Sequence, residues 1–160
     1  MDKDKIEQFS FKVTQANKTQ LVVIVYDIIL DDLKTAKENY SEDNLEEFVK
    51  TLKHAQRFVV ELMRTLDCQY QIGVDLMALY MYMNRVLIKG IVLRKPEPLE
   101  GLDGIILKLR GAFNEISKTD YSGPVMRETE QVYAGLTYHK GNLSEAYLDA
   151  GNQIKRGFTV

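Results

Sequence analysis

Apolar residues recur at alternating steps of three and four from Val22 to Ile116, and no proline interrupts the chain before Pro96. That rhythm follows the α-helical turn and conflicts with the two-residue alternation of a half-buried strand. Four helices can be read from it. The first opens at "NKTQ", where Asn17 caps and Gln20 reaches back in a capping box. It turns Val22, Tyr26, Ile29, Leu33, Ala36 and Tyr40 inward. The second follows "SEDN" with Leu45, Phe48, Leu52, Ala55, Val59, Leu62 and Leu66. The third runs from about Gly73 to Leu93, with Leu76, Leu79 or Tyr80, Met83 and Leu87 inward. The fourth follows "RKPEP" and carries Leu102, Ile105, Leu109, Phe113 and Ile116.

Each pattern covers about 20 residues, hence roughly 30 Å of helix. Short links favour antiparallel neighbours. The expected fold is all-α, an antiparallel up-and-down four-helix bundle over residues 1–118 that includes an N-terminal arm at 1–16. A Gly- and Tyr-containing C-terminal tail, 119–160, is expected to pack on the bundle in part.

A chain of 160 residues suits one domain with a self-sufficient core. Its net charge is −2, with no basic stripe of the kind that neutralises phosphates, so no nucleic acid partner is expected. Cys68 is the single cysteine, which excludes an internal disulfide and suits a reducing interior. The uninterrupted apolar run "LVVIVY" from Leu21 to Tyr26 ends at Asp27, and no such run in the chain approaches the roughly 20 residues that span a bilayer. The charged start "MDKDKIEQFSF" lacks an apolar signal core. The expectation is a soluble cytoplasmic protein without membrane insertion.

Two helices hold more apolar surface than one buried stripe requires. Beside its core positions the first has Leu21, Ile24 and Ile28 as a second stripe, with Val23, Val25 and Leu30 filling in. The third has Met77, Met81, Ile88 and Ile91 to spare. A helix apolar nearly all round is covered on both sides. The cover is either the terminal segments or a homodimer partner, or else an exchangeable apolar helix, for which soft methionines suit a repacking surface.

Catalytic chemistry is sparse. His54 and His139 are the only histidines, and Thr51 stands where a Glu-x-x-His di-iron turn would need its glutamate. One cysteine and two scattered histidines make no zinc set, and no phosphate-cradling glycine loop occurs. No metal or cofactor is expected, and His54 reads as a plain helix-surface residue. Asp27 in "VYDII" and Arg85 in "MNRVL" are charges in apolar surroundings, and a bridge between them would offset their burial. Asn84 suits either a rim position or a hydrogen bond to a guest backbone.

"NKTQLVVIVYD", followed about fifty residues later by "LMALYMYMNRVL" in a chain of four such helices, resembles the FliS family of flagellar secretion chaperones. The resemblance covers roughly residues 8 to 118. It implies a cytosolic four-helix bundle that is not an enzyme, binds the disordered C-terminal segment of flagellin and keeps it from polymerising before export. It also implies presentation of that complex to the export gate protein FlhA, and a groove partly covered by the chaperone's own N-terminal segment. Carried onto this sequence, the partner-binding residues are Leu21, Ile24, Val25 and Ile28 on the first helix and Met77, Tyr80, Met81 and Asn84 on the third. Phe9 and Phe11 are the self-covering plug or part of the surface offered to the gate.

The chain also departs from the family's pattern. Ile28 and Ile29 follow Tyr26-Asp27 where a small residue is usual, Met81 stands in place of an aspartate, and Val86 in place of an arginine. Phenylalanines replace N-terminal tyrosines, and the tail exceeds the minimal bundle; "VYAGLTYHKGNLSEAYL" is expected to shield the guest surface. On the chaperone reading the protein is a monomer or weak homodimer. The rivals are an obligate dimer that consumes the extra apolar surface and a helical enzyme that recruits Asp27, Arg85 and Lys89.

Overall fold

A computed structural model of the chain describes residues 3–126 and, within them, the side chains of 6–126. Every regular element among the described residues is helical: α1 (Lys3–Gln15), α2 (Lys18–Ser41), α3 (Leu45–Thr65), α4 (Gln71–Leu93), a 3-10 turn at Glu97–Leu99, and α5 (Leu102–Ser117). The four helices read from the sequence are α2 to α5. The tail call on Val132–Leu148 lies outside the described residues.

Helix starts follow local chemistry. The Asn17 side chain accepts from the Gln20 amide at 2.8 Å, and the Gln20 side chain accepts from the Asn17 amide at 3.0 Å. Both members of the capping box are therefore present at the start of α2. Asn44 caps α3 by accepting from the Glu47 amide at 3.2 Å. The link into α4 folds tightly over its first turn. A Cβ on Gly73 would stand 2.0 Å from the Asp67 carbonyl oxygen, so only glycine admits this approach.

α2 packs on α3 along one side and on α5 along the other, and α3 packs on α4. Their shared core holds Tyr26, Ile29, Leu33 and Ala36 from α2, with Phe48, Leu52, Ala55, Val59 and Leu62 from α3. α4 adds Tyr80, Met83, Val86 and Leu87, and α5 adds Leu102 and Ile106. Leu99 of the 3-10 turn closes this core and is fully buried. The inward residues expected of the first two helices occupy the core or pack against it, except Leu45, which is half-buried at the start of α3 outside that core. Leu102, Leu109 and Phe113 of α5 face the core as expected, and the other two positions differ. Ile106 takes the central place instead of Ile105, and Ile116 is exposed.

Polar contacts fasten α5 to α2. Arg110 pairs with Asp27, its Nη2 donating to Asp27 Oδ2 at 3.4 Å, and Lys37 pairs with Asp103 at 2.7 Å. The expected Asp27–Arg85 bridge is thereby corrected. Asp27 faces α5, whereas Arg85 is exposed on α4.

The expected N-terminal arm is instead a helix. Phe9 and Val13 of α1 pack on a second small core formed by Ala16, Ile24 and Ile28, joined by Leu21 and by Phe58 of α3. The chain beyond α5 returns to the same place. The Asp120 carbonyl accepts from the Asn17 side chain at 2.9 Å, Asp120 Oδ2 accepts from Thr19 at 2.5 Å, and the Val125 amide donates to the Ala16 carbonyl at 3.1 Å.

Candidate functional site

The second apolar stripe of α2 is occupied. Ile24 and Ile28 are buried beneath α1, with Leu21 half-buried beside them. α1 thus lies where the sequence places a groove wall. The two phenylalanines of α1 have different environments, because Phe9 joins the covered cluster while Phe11 is 52% exposed. Val25 turns away from this stripe and packs on the main core, which corrects its placement in the groove.

α4 shows the opposite condition. Val74, Met81, Ile88 and Val92 are exposed, Met81 to 49% and Val92 to 73%, and Met77 is half-buried among them. Steps of three, four and seven lay them along one face of the helix, with exposed Arg85 between Met81 and Ile88. From residue 74 to residue 92 the strip extends for roughly 27 Å at the α-helical rise. Gln56 of α3 donates to the Asn84 side chain at 3.1 Å beside this face, and the α3 residue Val60 is also exposed. Asn84 therefore has a partner within the chain, at the border between α3 and α4.

Tyr80 is not on this strip. It is 1% exposed, its hydroxyl hydrogen-bonds that of Tyr26, and the Tyr26 ring meets Phe113 edge-on at 5.7 Å. Burial, together with the hydrogen bond to Tyr80, raises the Tyr26 pKa far above that of a solvated phenol. Tyr80 belongs to the core, where Tyr26 of α2 supplies the partner its hydroxyl needs. The expected single groove therefore resolves into two surfaces, one on α2 under α1 and one open along α4.

α4 is also long and apolar enough, by length and composition alone, to cross a membrane. Its apolar residues divide between the shared core, through Tyr80, Met83 and Leu87, and the open strip. Asp75, Asn84, Arg85 and Lys89 interrupt its apolar runs, so the length of an unbroken run does not reveal this property.

His54 is more than a surface residue. Its Nδ1 lies 2.7 Å from Oδ2 of buried Asp32, and its ring meets Phe58 edge-on at 5.0 Å. Burial raises the Asp32 pKa, and the hydrogen bond from His54 opposes that rise. Phe58 packs on both the main core and the cluster under α1, so His54 braces the residue that joins them. Among the described residues no three or more His, Cys, Asp or Glu side chains gather where they could hold a metal ion.

No curated protein sequence matches the chain. The family described as "Flagellar protein FliS" matches residues 5–120, which takes in α1 to α5 and the return to Asp120. The match spans both apolar surfaces and the hydrogen bonds that tie the chain's return to α2, and it is a match to a family of flagellar chaperones rather than enzymes. This chain belongs to the FliS family.

Proposed function

We propose that the protein is a cytosolic export chaperone whose α2 to α5 act as an antiparallel four-helix bundle for the C-terminal segment of flagellin. The client, disordered when free, folds into a helix along the α4 strip formed by Val74, Met77, Met81, Ile88 and Val92. Occupation of the strip keeps that segment from pairing with other flagellin molecules before export, and the complex is passed to the gate protein FlhA. The observation that carries this reading is a run of exposed apolar residues along one helix of a FliS-family chain. A line of exposed apolar side chains of this kind marks interaction sites on soluble proteins. Methionines at its centre fit a surface that repacks around its guest. The seat of α1 on Leu21, Ile24 and Ile28 is a second client surface, opened when α1 yields.

Titration with a flagellin C-terminal peptide tests the proposal. Helical content rises on mixing beyond the sum of the two components, because the guest orders on contact. Met81→Asp strands a charge in the contact and abolishes binding while the free chain keeps its helical content. Binding of that variant with wild-type affinity removes the strip as the site. Sedimentation at several concentrations addresses the rival reading, since a tight dimer would leave no strip for the client.

A further inference from the structure

At the end of α4, the outer face of α3 bears an open recess of about 660 Å³. Lys50, Lys53 and Arg57 enter it from α3 and Arg94 from just past α4, with Val49 among them and Glu46 as the one lining carboxylate. Glu47 holds Lys50 at 2.9 Å, but Lys53, Arg57 and Arg94 make no ion pair among the described residues. A chain of net charge −2 thus gathers three uncommitted cations in one place.

Two features of this arrangement run against local stability. Lys53 and Arg57 stand at i and i+4, where like charges weaken a helix. Arg94 caps α4 with φ at 52°, a left-handed backbone that glycine adopts with less strain. Local choices that run against stability point to a requirement outside the fold.

We infer that this recess receives an acidic stretch of the client polypeptide. The inference rests on the α4 strip being the client surface. Arg94 follows Val92 by two residues, so the recess begins where the strip ends, and a client leaving the strip enters it. Apolar Val49 among the cations, with Glu46 beside them, suits a peptide better than a phosphate backbone, which requires a continuous basic track.

Calorimetric titration of the full chain with the flagellin C-terminal segment, at low and at physiological salt, tests this. Wild-type affinity falls as salt rises. Lys53→Glu/Arg57→Glu loses roughly tenfold at low salt, and the loss narrows as salt screens the charges. Arg94→Gly weakens binding while its thermal midpoint holds or rises, which separates lost recognition from lost folding. If the double variant binds as tightly as wild type at low salt, the inference is overturned and the strip reading stands. If wild type takes up no flagellin segment, the strip reading fails and a Glu-rich amphipathic peptide becomes the probe. That peptide must bind wild type and not the double variant. No binding, or preference for a single-stranded oligonucleotide, overturns the acidic-peptide inference.

Discussion

The hydroxyls of Tyr26 on α2 and Tyr80 on α4 hydrogen-bond each other inside the core, where each is the other's partner. Removing one leaves the other buried without a bond, whereas removing both leaves neither stranded. Tyr26→Phe and Tyr80→Phe should each lower stability by about 1–2 kcal/mol. The double variant should lose clearly less than the sum, because the two positions act as one unit. Urea unfolding of all four proteins checks this, and additive losses would show that the two hydroxyls do not depend on each other.

Arg110→Ala should cost about 0.5–1 kcal/mol, the modest value expected for a pair in which both side chains retain solvent contact. Arg85→Ala should fall within about 0.5 kcal/mol of wild type, as surface substitutions usually do. A larger loss at Arg85 than at Arg110 would contradict the observed pairing of Asp27.

The Asp27 pair shows where sequence reading ends. Both stripes of α2 are legible because three-and-four spacing marks each face independently, and the capping box is legible because its contacts span three residues. Which helix lies beside Asp27 is a property of packing order. Arg85 and Arg110 were equally available as partners, and only the placement of α5 against α2 decides between them. α5 itself reads ambiguously because Ile105, Ile106 and Leu107 are consecutive, so several registers bury similar area. The Asp32–His54 contact was hidden for a related reason. Asp31-Asp32 looks like solvated surface until α3 brings a histidine over one of the two. Tyr80 was placed in the groove by family likeness, while the spacing alone allowed it as a core position.

Asp120 gives a pH dependence of defined sign. Hydrogen bonds from the Ser122 side chain and then from Thr19 lower its pKa from 3.8 to about 2. Because the folded value lies below the ordinary one, the contribution is complete above about pH 4 and is lost as pH falls through about 2. Exchange protection of the Val125 amide should fall over that window, and Thr19→Val should move the loss to higher pH. A carboxyl titrating at 3.8 in the folded protein would refute the assignment.

Gly73→Ala should destabilise the protein by about 1–3 kcal/mol, because a methyl cannot occupy space 2.0 Å from the Asp67 carbonyl oxygen without moving the link backbone. Gly111→Ala is the matched control. It sits within α5 with nothing inside 4 Å of the added carbon, and the gain in helix propensity should raise stability by about 0.5–1 kcal/mol. Thermal midpoints that move the same way in both variants would count against the close approach at Gly73.

Ala16 and Asn17 give the molecule a shared fastening. Asn17 starts α2 and also grips the Asp120 carbonyl, and Ala16 lies in the seat of α1 while holding the Val125 amide. A client that prised the first helix loose would therefore also tug on residues 120–125, where Asp120 lies 103 residues from Asn17 in sequence and yet next door in space. Two segments of the polypeptide would let go in concert, and a single spectroscopic label beside Val125 would report the unlatching of both.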